Sequence, residues 1–182
     1  MILVFDTETT GLTLHPDAPV ERQPRCIEAA FAGLDPVTGE VLEEHSWLIN
    51  PGEPLTPEIV KITGLTDADL AGEPPFADVW PEIRAVLARG RMIVAHNLPF
   101  DRAILNGELA RMDAALWGEG FWPQQELCTV AAFQDEFGRP PRLVALYERV
   151  LGRKYPQTHR AADDVRALVE VLQATRAWED YL

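Results

Sequence analysis

Cysteine is nearly absent from the chain: Cys26 and Cys128 are the two among 182 residues. Two thiols cannot build a disulfide framework or a closed zinc site, so a reducing cytoplasm is the expected compartment. Long apolar runs are missing too. The N-terminal run covers residues 1–5 and stops, with no basic leader or small-residue cleavage site. No stretch approaches the length of a membrane span, so no membrane partner is expected. There is no repeat period and no low-complexity tract. Lysine is scarce, with only Lys61 and Lys154, and basic residues are outnumbered 16 to 29, for a net charge of −13. That balance excludes a protein that coats nucleic acid through a broad basic surface. It leaves open a nucleic-acid enzyme whose local site lets metal ions neutralise carboxylates and phosphate together. A content of 47% hydrophobic and 25% charged residues excludes disorder. The length suits a single domain over residues 1–182.

What is present is a pattern of strands followed by helices. Residues 1–6, 25–34 and 40–49 read as strands, the last two joined by the turn-rich "DPVTG" as an antiparallel hairpin. "NPGEPLTPE" then leaves the sheet. Phe76, Val79, Ile83, Val86 and Leu87 recur at helical spacing over residues 76–89. "RMIVAHN" is a short apolar strand, and helices are expected over 99–113, 126–137, 142–151 and 160–178. The pattern defines an α/β or α+β domain around one mixed sheet.

The stretch "VFDTETTGL" breaks the composition of a buried strand. Side chains alternate along a strand, so Asp6 and Glu8 point to one side and crowd two carboxylates together. Asp101, in "HNLPFDRAIL", opens a helix whose Leu105, Leu109 and Met112 follow on the same stripe, so it tops the face turned to the sheet. Taken alone, such an acid is explained by the helix N-terminal dipole. In "HRAADDVRALVEVL", Val165, Leu168, Val169 and Leu172 mark a buried face that Asp164 borders. Asp163 lies about 100° around the helix, with Arg166 and Glu170, on the solvent side. Inward carboxylates must be paired, protonated or bound to metal. Cations for pairing are few, since the arginines fall mostly at helical surface positions. Hard oxygen ligands suit Mg²⁺ or Mn²⁺, and two ions can share such a cluster. His159, five residues before Asp164, can take a proton from water at neutral pH. His15 and His45 read as loop and strand-surface residues, and His96 as a structural or substrate-edge residue.

"FDTETTGL", "HNLPFD" and "HRAADD" together resemble, in order and spacing, the three motifs of the DEDDh, or DnaQ-like, 3′→5′ exonucleases. "KITGLTDADL" resembles the linker that follows the third strand in that family. The resemblance covers residues 1 to about 172. It implies a ribonuclease H-like α/β fold with a five-stranded mixed sheet flanked by helices. It implies that Asp6, Glu8, Asp101 and Asp164 bind two divalent ions, Mg²⁺ or Mn²⁺, and that His159 is the general base. A sister group carries tyrosine at the histidine position; this chain resembles the histidine group. Thr9, Gly11 and Leu12 fall where the terminal nucleotide would be approached, with Leu12 either wedging against its base or packing ordinarily. Asn97 and Phe100 are further candidates for substrate contact.

The expected activity is hydrolysis from the 3′ end of single-stranded nucleic acid to nucleoside 5′-monophosphates, with DNA favoured. An exoribonuclease or oligoribonuclease on the same fold, or a non-catalytic nucleic-acid-binding subunit, are the alternatives. No acid of the motifs and no histidine is lost, which argues against the subunit. The proofreading epsilon subunit of bacterial replicative polymerases resembles this chain in its catalytic part but carries a further C-terminal segment that binds the polymerase. No such tether is seen after the last helix, so a stand-alone exonuclease is expected, with a polymerase partner at another surface left open.

Overall fold

The structure is a computed structural model describing residues 1–112, 121–156 and 160–181. Five strands form one sheet in the order β3-β2-β1-β4-β5: β1 (Ile2–Thr9), β2 (Cys26–Leu34), β3 (Val41–Leu48), β4 (Met92–Ala95) and β5 (Gln125–Cys128). β2 runs antiparallel to both β1 and β3, whereas β4 and β5 run parallel to β1 and to each other, so the sheet is mixed. The "DPVTG" hairpin forms as expected: the Asp35 carboxylate accepts the Val37 and Thr38 N–H groups, and Gly39 supplies the left-handed residue at φ 75°.

Helices cover both faces, which is why β1, β2 and β4 read as continuous apolar runs. On one face, Leu3, Phe5, Ala29 and Phe31 pack against α3 (Phe76–Leu87) and α4 (Leu98–Ala110). On the other, Ile2, Val4, Ala30, Ala32 and Leu34 pack against Val165, Leu168, Val169 and Leu172 of α7 (Ala161–Thr175). This parity places the site. Asp6 and Glu8 share the side of Ile2 and Val4 and look toward α7, while Thr7 looks toward α4. The remaining helices are α1 (Pro57–Thr63), α2 (Asp67–Leu70), α5 (Thr129–Phe137) and α6 (Leu143–Leu151).

Two sequence expectations are corrected. Residues 126–128 are not the start of a helix but belong to the edge strand β5, because pairing with β4 from Met92↔Gln125 to Ala95↔Cys128 overrides their local pattern. Thr56 caps α1, which begins at the end of the Pro/Gly-rich link, and Thr66 caps α2 beyond it. The last helix ends at Thr175, not near 178. Arg176 turns left-handed at φ 55°, and Trp178 folds back into the core to donate its Nε1–H to the Pro36 carbonyl.

Candidate active site

At the carboxyl end of β1, one oxygen from each of Asp6, Glu8 and Asp164 lies within 4.8 Å of the others. Strand parity brings the first two together, and the buried stripe of α7 brings the third. Asp163, one residue back, turns away and pairs with Arg166 at 3.2 Å on the surface. Asp101 enters from the first turn of α4 and is 2% exposed. Its Oδ1 accepts both the Thr7 N–H at 3.0 Å and the Thr7 hydroxyl at 2.8 Å. Asp101 therefore borders the three-acid cluster rather than joining its tightest group.

The electrostatics are those of crowded, desolvated acids. Burial, then the charges of Asp101, Asp164, Glu8 and Glu28, hold the Asp6 carboxyl well above the usual range. Burial followed by Asp164, Glu28 and Asp101 pushes Glu8 up to about 8, with Arg160 opposing. Burial raises Asp101 to about 7 against the two Thr7 hydrogen bonds. Hard oxygen donors from Asp6, Glu8 and Asp164, converging from a strand and a helix, fit a divalent ion.

Around the cluster the expected substrate residues separate. Leu12 is 81% exposed, which rules out ordinary packing. It lines a cleft of about 540 Å³ with Glu8, Thr9, Thr10, Gly11, Thr56, Ile59 and Ile62. The Thr9 hydroxyl donates to the Gly11 carbonyl at 2.7 Å and fixes the turn. Among the described residues a Cβ on Gly11 would meet nothing within 4 Å, so none of their atoms requires glycine there. Asn97 and Phe100 do not line this cleft. Asn97 sits left-handed at φ 74° as the residue before α4, and Phe100 is half-buried against the α3/α4 core. His159 lies outside the described residues.

His96 is structural. Its Nε2 faces the Pro141 carbonyl at 3.1 Å and must carry the proton, so Nδ1 accepts from the Thr129 hydroxyl at 3.0 Å. Burial lowers its pKa, in keeping with a neutral ring.

Two participants were not singled out from the sequence. Tyr155 donates its hydroxyl to Asp164, and nothing in its loop position signals this. Glu28 stands opposite Glu8 on β2 and is fully buried. A lone acid in the apolar run "CIEAAFAGL" was its signal, but pairing it with Glu8 requires the strand register. Its partner Arg160 corrects the view that the arginines decorate helix surfaces, as does Arg25 on the buried Glu108 at 3.0 Å.

Residues 3–172 match the family model RNase_T, described as exonuclease. The chain is 34% identical over 177 residues to a protein of Mycobacterium tuberculosis described as a bifunctional exonuclease/endonuclease, covering 94% of this chain and 26% of that one. It is 30% identical over 170 residues to the DNA polymerase III epsilon subunit of Treponema pallidum, covering 92% of this chain and 72% of the subunit. It thus spans about a quarter of the first relative and well under a tenth of the PolC-type DNA polymerase III of Halalkalibacterium halodurans, at 7%. Among solved structures, the nuclease domain of 3′hExo, a DEDDh family member bound to rAMP, superposes with a TM-score of 0.76 at 16% identity, covering 98% of this chain and 92% of that one. Exonuclease X in complex with 5′ overhanging duplex DNA gives 0.63 at 23%, covering 97% and 93%. At such identities the structures speak to the fold, which is ribonuclease H-like. The chain belongs to the RNase_T exonuclease family.

Proposed function

We propose that the chain removes nucleotides one at a time from the 3′ end of single-stranded DNA, releasing nucleoside 5′-monophosphates. The observation that carries this reading is the convergence of Asp6, Glu8 and Asp164 within 4.8 Å, bordered by Asp101, beside the cleft that exposes Leu12. These four carboxylates would hold two divalent ions, Mg²⁺ or Mn²⁺, which would supply activation of a water and neutralisation of charge on the phosphate and the leaving oxygen. His159 takes the water's proton at its imidazole nitrogen. The water oxygen bonds to phosphorus as the phosphorus–O3′ bond breaks, leaving a new 3′-hydroxyl on the strand and a 5′-phosphate on the released nucleotide. Thr9 and Gly11 shape the floor under the terminal nucleotide, and Leu12 presses an apolar face on its base. DNA is favoured over RNA because relatives at 30% identity or more include DNA polymerase III components.

Incubation of the protein and Mn²⁺ with 5′-labelled single strands of DNA and of matching RNA tests this. A descending ladder that is faster on DNA, slowed by blocking the 3′ end and abolished by chelation is the expected result. Activity that survives exhaustive chelation overturns the metal assignment, and rapid cutting of closed circular strands overturns the polarity.

A further inference from the structure

Asp6 and Glu8 come from β1 and Asp164 from α7, and without an ion their charges push α7 away from β1. Apolar packing holds the body of α7 on the sheet, and its first turn, next to the acids, has a polar tie as well. Arg160 precedes that turn and offers no side-chain cap to it. Glu28, on the neighbouring strand, reaches that turn. Its Oε2 accepts the Arg160 Nε–H at 2.9 Å and the Ala161 N–H at 3.2 Å, and its Oε1 accepts from Arg160 Nη2 at 3.1 Å and the Ser46 hydroxyl at 3.2 Å. The Ala161 N–H is one of the first-turn donors that a helix leaves unsatisfied, so a carboxylate from another element caps α7. With both oxygens occupied by donors, Glu28 is not a ligand candidate, although it faces Glu8 across the β1–β2 ladder. Asp164 follows one turn later, its N–H bonded to the Arg160 carbonyl at 3.0 Å.

We propose that the Glu28–Arg160 pair is a positioning device that locks the first turn of α7 onto β2 and so presets Asp164 against Asp6 and Glu8 for metal. This rests on the metal reading above. Removing either partner would alter the local charge as well as the geometry, so the informative variants keep charge. Arg160→Lys retains the cation but loses the planar fork. Glu28→Asp retains the anion but falls one methylene short. Mn²⁺ binding to the full chain without nucleic acid is measured by calorimetry, beside melting in chelator and turnover across Mn²⁺ concentrations.

Both variants should bind Mn²⁺ about tenfold more weakly, the scale on which partners of metal ligands act. Their turnover at saturating Mn²⁺ should stay within about twofold of the parent, since no reacting group is touched. A purely structural pair would lower the melting temperature and leave Mn²⁺ affinity unchanged, and parental affinity in either folded variant overturns the proposal. Should Arg160→Lys fail to fold, Glu28→Asp alone decides. A parent that binds no Mn²⁺ overturns this proposal together with the metal reading, whereas a binding parent with equally binding variants overturns this one alone.

Discussion

Asp163 and Asp164 are chemically identical neighbours whose fates differ by about 100° of helix. Asp164 points into the cluster with Asp6 and Glu8, and its charge is the largest electrostatic cause raising Glu8. Asp163 pairs with Arg166 on the surface. Asp164→Ala should abolish turnover while leaving the fold intact. Without metal its melting temperature should match or exceed the parent's, because one repelling charge is gone. Asp163→Ala should keep most activity and cost at most about 1 kcal/mol, the worth of a first-turn acid with an exposed partner. Rates and melting curves for the two decide; a dead Asp163→Ala protein would move the metal assignment by one residue. Leu12 admits a similar contrast. At 81% exposure it contributes nothing to the core, so Leu12→Ala should leave stability within about 0.5 kcal/mol of the parent. If it stacks on the terminal base, KM should rise more than kcat falls, and unchanged kinetics would remove it from the site.

At the scale of elements, β1 divides its end residues between two helices. Asp6 and Glu8 face α7, and Thr7 between them faces α4 and holds Asp101 with both its N–H and its hydroxyl. Thr7→Val keeps the shape and the N–H but removes one donor to a buried carboxylate. It should cost about 1–2 kcal/mol. It should also push Asp101 further above about 7, moving the acidic limb of activity to higher pH. A pH–rate profile that does not move would show that the Thr7 hydroxyl has no hold on the ionised form. These roles mark what the sequence could and could not disclose. Period-two alternation in "VFDTE" and the apolar stripe of α7 were enough to orient Asp6, Glu8 and Asp164, because each depends on geometry within one element. Glu28, Tyr155 and strand β5 were hidden because each depends on a partner far along the chain: Glu28 on Arg160, Tyr155 on Asp164, and β5 on β4. A four-residue strand next to a helix carries too short a pattern to be told from the helix's first turn. The return of Trp178 to the core was hidden for the same reason, since its hydrogen-bond partner is Pro36.

For the whole molecule, these raised carboxyl groups make stability depend on pH in an unusual direction. Glu8 rises from its ordinary 4.5 to about 8, and Asp101 from 3.8 to about 7. Between those limits the folded protein keeps protons that the unfolded chain has released. The native state then binds more protons than the unfolded one, and stability falls as pH rises. Paired surface acids such as Glu43, held low by Arg89, work in the opposite sense, but their window closes below about pH 4.5. In chelator, the melting temperature should therefore drop between pH 5 and pH 8 by at least about 3 °C, roughly what 1 kcal/mol is worth in a domain of this size. Saturating Mn²⁺ at pH 8 should reverse the drop, because an ion that binds only the native state stabilises it by mass action and takes the ionised ligands. The net charge of −13 also disfavours the compact state as acids ionise, and that diffuse repulsion is screened by salt. Repeating the measurement in 0.5 M salt with Asp164→Ala separates the two sources. Losing one charge out of many barely alters the diffuse term, whereas it removes a main cause of the Glu8 shift, so the slope of melting temperature against pH should flatten. An identical slope in the variant and the parent would assign the effect to overall charge and detach it from the site.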